Sequence, residues 1–141
     1  MMMRKMVGIL ALGLMVAAVN GVAAEPEKEK AAVSAAEQWV SLVDRGEYGE
    51  SWKEAAEYFR NAVKPEQWEQ SARAARKPLG KLVSRKVKST AYTTSLPGAP
   101  DGEYFVIEFS TSFEHKKSAI ETVTPMMDKD GRWRVSGYYI K

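Results

Sequence analysis

From Ala32 onward, apolar residues recur every three or four positions, and Ala32, Ala36, Trp39, Val40 and Val43 mark one stripe of a helix. Gly46, following Asp44-Arg45, ends it as a C-cap glycine. A second stripe of Tyr48, Trp52, Ala55, Ala56, Phe59 and Val63 predicts one further helix. Ser51 and Glu54 are spaced as a capping box, but Tyr48 already lies in the stripe, so its start stays open. Pro65 fits the first position of a third helix, where its missing N–H costs nothing. Trp68, Ala72, Ala75 and Leu79 are its expected buried stripe, and Gly80 its end.

After Gly80 the period changes to two. Leu82 to Thr94, rich in Val, Thr and Tyr, predicts a long strand, and the run Pro97 to Gly102 a turn. The clearest strand follows: Phe105, Ile107, Phe109, Thr111 and Phe113 on one face, Tyr104, Val106, Glu108, Ser110 and Ser112 on the other. His115-Lys116-Lys117 marks a turn, and Ala119 to Met127 a third strand. Asp130-Gly131 signals a hairpin. The fourth strand, Arg132 to Ile140, places Trp133, Val135 and Tyr139 on one face. Helices followed by strands indicate an α+β domain, with three amphipathic helices covering one face of a four-stranded antiparallel meander.

The first 24 residues read as an address. Arg4 and Lys5 precede an apolar run from Val7 to Val19, and Val22-Ala23-Ala24 supplies the small residues of a cleavage site before Glu25. Such a run is shorter than the roughly 20 apolar residues needed to span a bilayer. The expected organisation is a signal peptide over 1–24 and a single domain over 25–141. Residues 25–30, EPEKEK, have no apolar face and are expected to fray.

Removing Arg4 and Lys5 lowers the net charge from +3 to +1, so the basic balance of the precursor is a poor argument for nucleic acid. The chain has no cysteine and one histidine, which excludes disulfides, thiol catalysis and a Cys/His zinc site. No motif calls for a metal or a cofactor. The run Asp128-Lys129-Asp130-Gly131 lacks the earlier Asp and later Glu of a calcium loop.

The stretch PLGKLVSRKVKSTAYTTSLPGAPDGEYFVIEFSTSF, with ETVTPMMDKDGRWRVSGYYI after it, resembles a family of small exported bacterial proteins catalogued as domain of unknown function 4019. The resemblance runs from about Ala35 to Ile140, and YTTSLPGAPDGEY is its most specific part. That family resembles the superfamily named after nuclear transport factor two, in which helices pack on a strongly curved sheet to form a cone. The resemblance therefore implies a cone-like fold, with room for a pocket between helices and sheet, and it carries no assigned activity.

The candidate chemistry is sparse. His115 falls in a polar turn and reads as exposed. Glu108 lies opposite the apolar face of its strand and reads as a surface partner of Arg85, Lys86, Lys88 or Arg134. If its face is concave, it is instead a pocket acid. Trp39, Trp52 and Trp68 read as core. Tyr92, Trp133 and Tyr139 alternate along strands and are candidates for a pocket mouth. Residues 60–100 carry nine bases and two acids, and Arg85, Lys86 and Lys88 in that block suit an anionic surface. The expectation is a periplasmic or secreted module without catalytic activity, binding a small ligand or an envelope protein through Arg85, Tyr92, Glu108, Trp133 and Tyr139. The alternatives are an isomerase- or hydrolase-type enzyme using a pocket acid and a tyrosine, and a structural subunit of an envelope complex.

Overall fold

The computed structural model describes residues 18–141, with side chains from Pro26 onward. The positive n-region and most of the apolar run read as a signal lie outside the described residues. Residues up to Lys30 and residues 31–141 form two separate units, and the second holds the sheet and its core.

Helix α1 spans Ala18–Asp44, so the charged lead 25–30 is helical rather than frayed, and the expected cleavage point after Ala24 falls within the helix. Glu, Lys and Ala are strong helix formers, and this outweighs the missing apolar face. From Ala32 the predicted stripe is buried: Ala32, Ala36, Trp39, Val40 and Val43 are all under 4% exposed. Gly46 stops the helix at φ +76°, a conformation that favours glycine.

The second predicted helix is two helices, α2 (Tyr48–Glu54) and α3 (Glu57–Ala62). Ala55 and Ala56 between them are extended and fully buried. Their small side chains let the backbone approach the sheet, where the Ala56 N–H donates to the Val135 carbonyl at 2.8 Å. A sheet hydrogen bond thus replaces a helical one, a tertiary preference that helical periodicity does not register. Ser51 is not a cap. It lies inside α2, fully buried, and its hydroxyl donates to the Tyr48 carbonyl at 2.7 Å.

Helix α4 (Pro65–Arg76) begins with Pro65 at its first turn, and the Lys64 N–H donates to the Gln67 side-chain oxygen at 3.1 Å. A short 3-10 turn, Lys77–Leu79, follows. Ala75, expected in the buried stripe, is exposed, and Arg76 is buried in its place. The reason is electrostatic: Arg76 has a carboxylate and an aromatic face to bind.

Four antiparallel strands follow: β1 (Leu82–Thr93), β2 (Tyr104–Phe113), β3 (Lys116–Met127) and β4 (Trp133–Ile140), in the order β1-β2-β3-β4. The architecture is α+β with four helices, mainly N-terminal, and an open sheet. One main core joins Trp39, Val40 and Val43 of α1, Phe59 of α3 and Trp68 of α4 to Phe105, Ile107, Phe109, Val123 and Val135 of the sheet. The predicted apolar face of β2 is therefore the inner face. Tyr104, expected on the outer face, is nonetheless buried, because Ala56, Met126 and the loop residues Leu96 and Ala99 form a second cluster over it.

The faces of β4 differ from the simple alternation. The register passes from Pro125↔Val135 to Thr124↔Gly137, leaving Ser136 as an extra residue in a β-bulge. Pro125, with no N–H to give the ladder, sits at this irregularity, where proline is tolerated. One inserted residue exchanges the faces. Tyr138 turns inward, and Tyr139 turns outward at 56% exposure.

Candidate functional site

Two helical stripes end in a charged residue at the next helical position: Ala36, Val40 and Asp44 on α1, and Trp68, Ala72 and Arg76 on α4. The strand period does the same on the sheet, placing Arg85, Thr111 and Glu121 on the inner face. These groups meet. Arg85 donates from Nη1 to Asp44 Oδ2 at 2.7 Å, from Nη2 to Asp44 Oδ1 at 2.9 Å, and from Nε to Glu121 Oε1 at 2.7 Å. Arg76 donates from Nη2 to Asp44 Oδ1 at 2.8 Å. Thr111 donates to Glu121 Oε1 at 2.6 Å, and the Tyr138 hydroxyl donates to Glu121 Oε2.

Glu121 is 0% exposed, the Arg76 and Arg85 side chains 5% and 10%. Two carboxylates and two guanidiniums cancel in formal charge, the condition under which ionic groups persist inside a protein. Burial alone would raise the Asp44 carboxyl, but the hydrogen bonds and charges of Arg85 and Arg76 outweigh it and hold the group below its ordinary value of 3.8. Burial lowers the Arg85 guanidinium, and its bonds to Asp44 and Glu121 more than reverse this, so its pKa is raised. The Tyr138 phenol is pushed up, first by burial and then by the neighbouring Glu121 charge.

Because Asp44 titrates lower in the folded chain than in the unfolded one, its contribution to stability is complete above the unfolded value of 3.8 and fades as pH falls through the folded value. Unfolding free energy is therefore expected to drop on acidification below about pH 4. The Asp44→Asn variant, less stable at neutrality, is expected to show a flatter acid limb. Denaturant titrations across the acid range compare the two, and parallel limbs would exclude Asp44 as the source.

A catalytic base must present an unoccupied lone pair to substrate. Glu121 spends three of its roughly four acceptor sites on this chain's own donors and is fully buried, and the raised phenol beside it is no ready proton donor. The network ties α1, α4 and all four strands together and leaves Arg76 Nε and Nη1 without partners.

The aromatic layer beside it is tightly filled. Trp39 stacks on Trp68 with centroids 5.7 Å apart and meets the Tyr138 ring at 5.4 Å, and Phe59 packs edge-on against Trp68 at 5.3 Å. Both indole N–H groups end on Ser51: Trp39 Nε1 donates to its carbonyl and Trp68 Nε1 to its hydroxyl, each at 2.8 Å. Trp52 is half-buried, its Nε1 donating to the Val63 carbonyl at 2.7 Å. These rings occupy the space between helices and sheet in which a pocket was expected.

The five residues expected to bind a ligand do not converge. Arg85 is inside, committed to two carboxylates, so only Lys86 and Lys88 of the expected anionic-surface trio are exposed. Glu108 lies on the outer face with Thr122 and Tyr139 in the same row across the sheet. It accepts from the Ser89 hydroxyl at 3.2 Å and makes no ion pair among the described residues. Tyr92 and Trp133 flank Phe105 on the inner face, each ring centroid 5.3 Å from it. Trp133 also lines a cleft of about 380 Å³ formed by α1, α2 and the start of β4, with Ala35, Trp39 and Leu42 apolar and Arg132 and Glu50 polar around it. His115 is exposed in its turn.

Residues 35–138 match the family described as Protein of unknown function (DUF4019). The chain belongs to that family. Every member of the buried network, from Asp44 to Tyr138, lies inside the span shared with DUF4019, and no curated protein matches the chain. Asp44, Arg76, Glu121 and Tyr138 were missed as a group by sequence reasoning. The available signal was the charge ending each apolar stripe, together with Glu121 alternating with Ala119 and Val123 on the inner face. Tyr138 had no such signal, because the bulge that turns it inward leaves no mark in the alternation.

Proposed function

We propose that this protein is an exported binding module without catalytic activity, cut after Ala24 and released into the periplasm, with its helices and curved sheet in the cone-like arrangement implied by its resemblance. The ligand is a small amphipathic molecule, and it sits in the cleft between α1, α2 and β4 rather than between helix layer and sheet. The observation that carries this reading is the closure of the interior. Trp39, Trp68 and Tyr138 fill it, and the buried acids accept from this chain's own donors. The cleft lined by Trp39 and Trp133 is concave and partly apolar, and its 380 Å³ lies within the range of about 300–1,000 Å³ usual for small-molecule sites.

The test has two arms. N-terminal sequencing of the chain recovered from the envelope fraction is expected to begin at Glu25, and an intact Met1 in the cytoplasm would overturn the export reading. N-phenyl-1-naphthylamine, a neutral apolar fluorophore, is expected to brighten on binding the chain, and the Leu42→Glu variant to lose this with its far-UV spectrum unchanged. No brightening, or brightening equal in the variant, rejects the cleft.

A further inference from the structure

A second cleft, of about 420 Å³, lies where the C-terminal ends of α1 and α4 meet the start of β1. Arg45, Arg73, Arg76, Lys77 and Lys81 line it. These cations come from different segments: Arg45 follows α1, Arg73 and Arg76 belong to the last turn of α4, Lys77 to the 3-10 turn, and Lys81 precedes β1. Two carboxylates share the cleft, and both are engaged. Asp44 accepts from Arg76 and Arg85, and Glu114 Oε1 accepts from the Lys81 N–H at 2.8 Å. The carbonyls ending α1 are capped as well, with Gly46 N–H on Val43 O and Glu47 N–H on Leu42 O.

Arg76 is the informative residue. Its side chain is 5% exposed, and its guanidinium lies over the Phe113 ring at 4.7 Å. One nitrogen, Nη2, donates to Asp44. The other two, Nε and Nη1, are buried and have no hydrogen-bond partner. A buried donor left unsatisfied is costly, more so when charged, so such groups call for an acceptor. Basic residues near a helix C-terminus ordinarily complement its dipole. That accounts for Arg73 and for the charge of Arg76. Arg45 is paired with Glu47 at 3.0 Å, but the dipole accounts neither for Lys81 approaching the same cleft from another segment nor for two donors left without acceptors.

We propose that this cleft binds an oxyanion, a phosphate group above all, held by Arg76, whose Nε and Nη1 lack acceptors, while Arg73, Lys77 and Lys81 supply the surrounding field. The site is separate from the Trp133 cleft and stands whether or not that cleft binds a ligand. The shared chemistry is a multiply charged acceptor, and either free phosphate or a phospholipid headgroup supplies it. Arginine suits it by offering several fixed donors, lysine by offering a mobile point charge.

The full chain is titrated with inorganic phosphate at low ionic strength, because exposed charges are screened beyond about 10 Å at 0.1 M salt. Nitrogen-15 spectra are expected to show the Arg76 Nε–H resonance moving downfield and saturating in the millimolar range. Arg73→Glu and Lys77→Glu, both at exposed positions, are each expected to weaken binding roughly tenfold. The Lys86→Glu/Lys88→Glu pair on β1 is expected to leave it unchanged. Sedimentation with phosphatidylglycerol vesicles, against phosphatidylcholine vesicles, separates the two sources. Phosphate-competed binding to the former identifies a headgroup, and phosphate binding without vesicle binding identifies a free anion. An unmoved Arg76 Nε–H, or equal weakening in the β1 pair, would overturn the proposal.

Discussion

Replacing Glu121 by alanine is expected to lower the free energy of unfolding by about 3–5 kcal/mol. The cost is not that of the lost contacts alone. It comes from stranding Arg85, whose Nε then faces the interior without an acceptor, and from leaving Thr111 and Tyr138 with hydroxyls and no carboxylate to receive them. Breaking one partner of a buried ion pair is costly because the remaining charge stays desolvated, whereas exposed pairs are worth about 0–1 kcal/mol. Arg85→Ala is expected to cost a similar amount by exposing Asp44 and Glu121 to the same problem. The double variant is expected to fall short of the sum, since both changes dismantle one network. Urea denaturation of the two single variants and the double variant measures all three quantities. A loss for Glu121→Ala below about 1 kcal/mol would mean that the carboxylate is solvated after all.

Trp39→Ala is expected to be comparably damaging, at about 3–5 kcal/mol. Trp39 is 3% exposed and touches Trp68 and Tyr138, so its removal opens a large void at the junction of α1, α4 and β4. Indole rings of this kind cannot be replaced by relaxation of their neighbours, because Trp68 is itself anchored through Ser51. Trp39→Phe separates the components. It keeps an aromatic ring but leaves the buried Ser51 carbonyl without its donor, and is expected to cost about 1–3 kcal/mol. Near-UV circular dichroism reports the loss of the fixed ring environment, and denaturant titration the energy. A Trp39→Ala variant within about 1 kcal/mol of the parent would contradict the packing described.

Much of the architecture follows from periodicity. The stripe from Ala32 to Val43, the alternation from Phe105 to Phe113 and the glycines at 46 and 131 each mark an element or turn correctly, because burial of one face dominates the energetics of these segments. What escapes periodicity is wherever a specific tertiary contact overrides it. Ala55-Ala56 breaks a helix to reach Val135, Arg76 displaces Ala75 from the interior to meet Asp44, and Ser136 shifts the frame so that Tyr138 rather than Tyr139 enters the core. The same holds for the site. A basic block between residues 60 and 100 is legible, but its grouping around one cleft is not, because Arg45 joins from another segment while Arg85 leaves for the interior.

Among the described residues, the strand order leaves β1 as one border of the sheet, and β1 carries irregular register at both Val83 and Lys88. A regular unpaired strand invites a second copy to dock along it and so to propagate into fibres. Here the two interruptions, with Lys86 and Lys88 on the same stretch, spoil that template, and concentrated solutions of the protein should remain free of cross-β polymer.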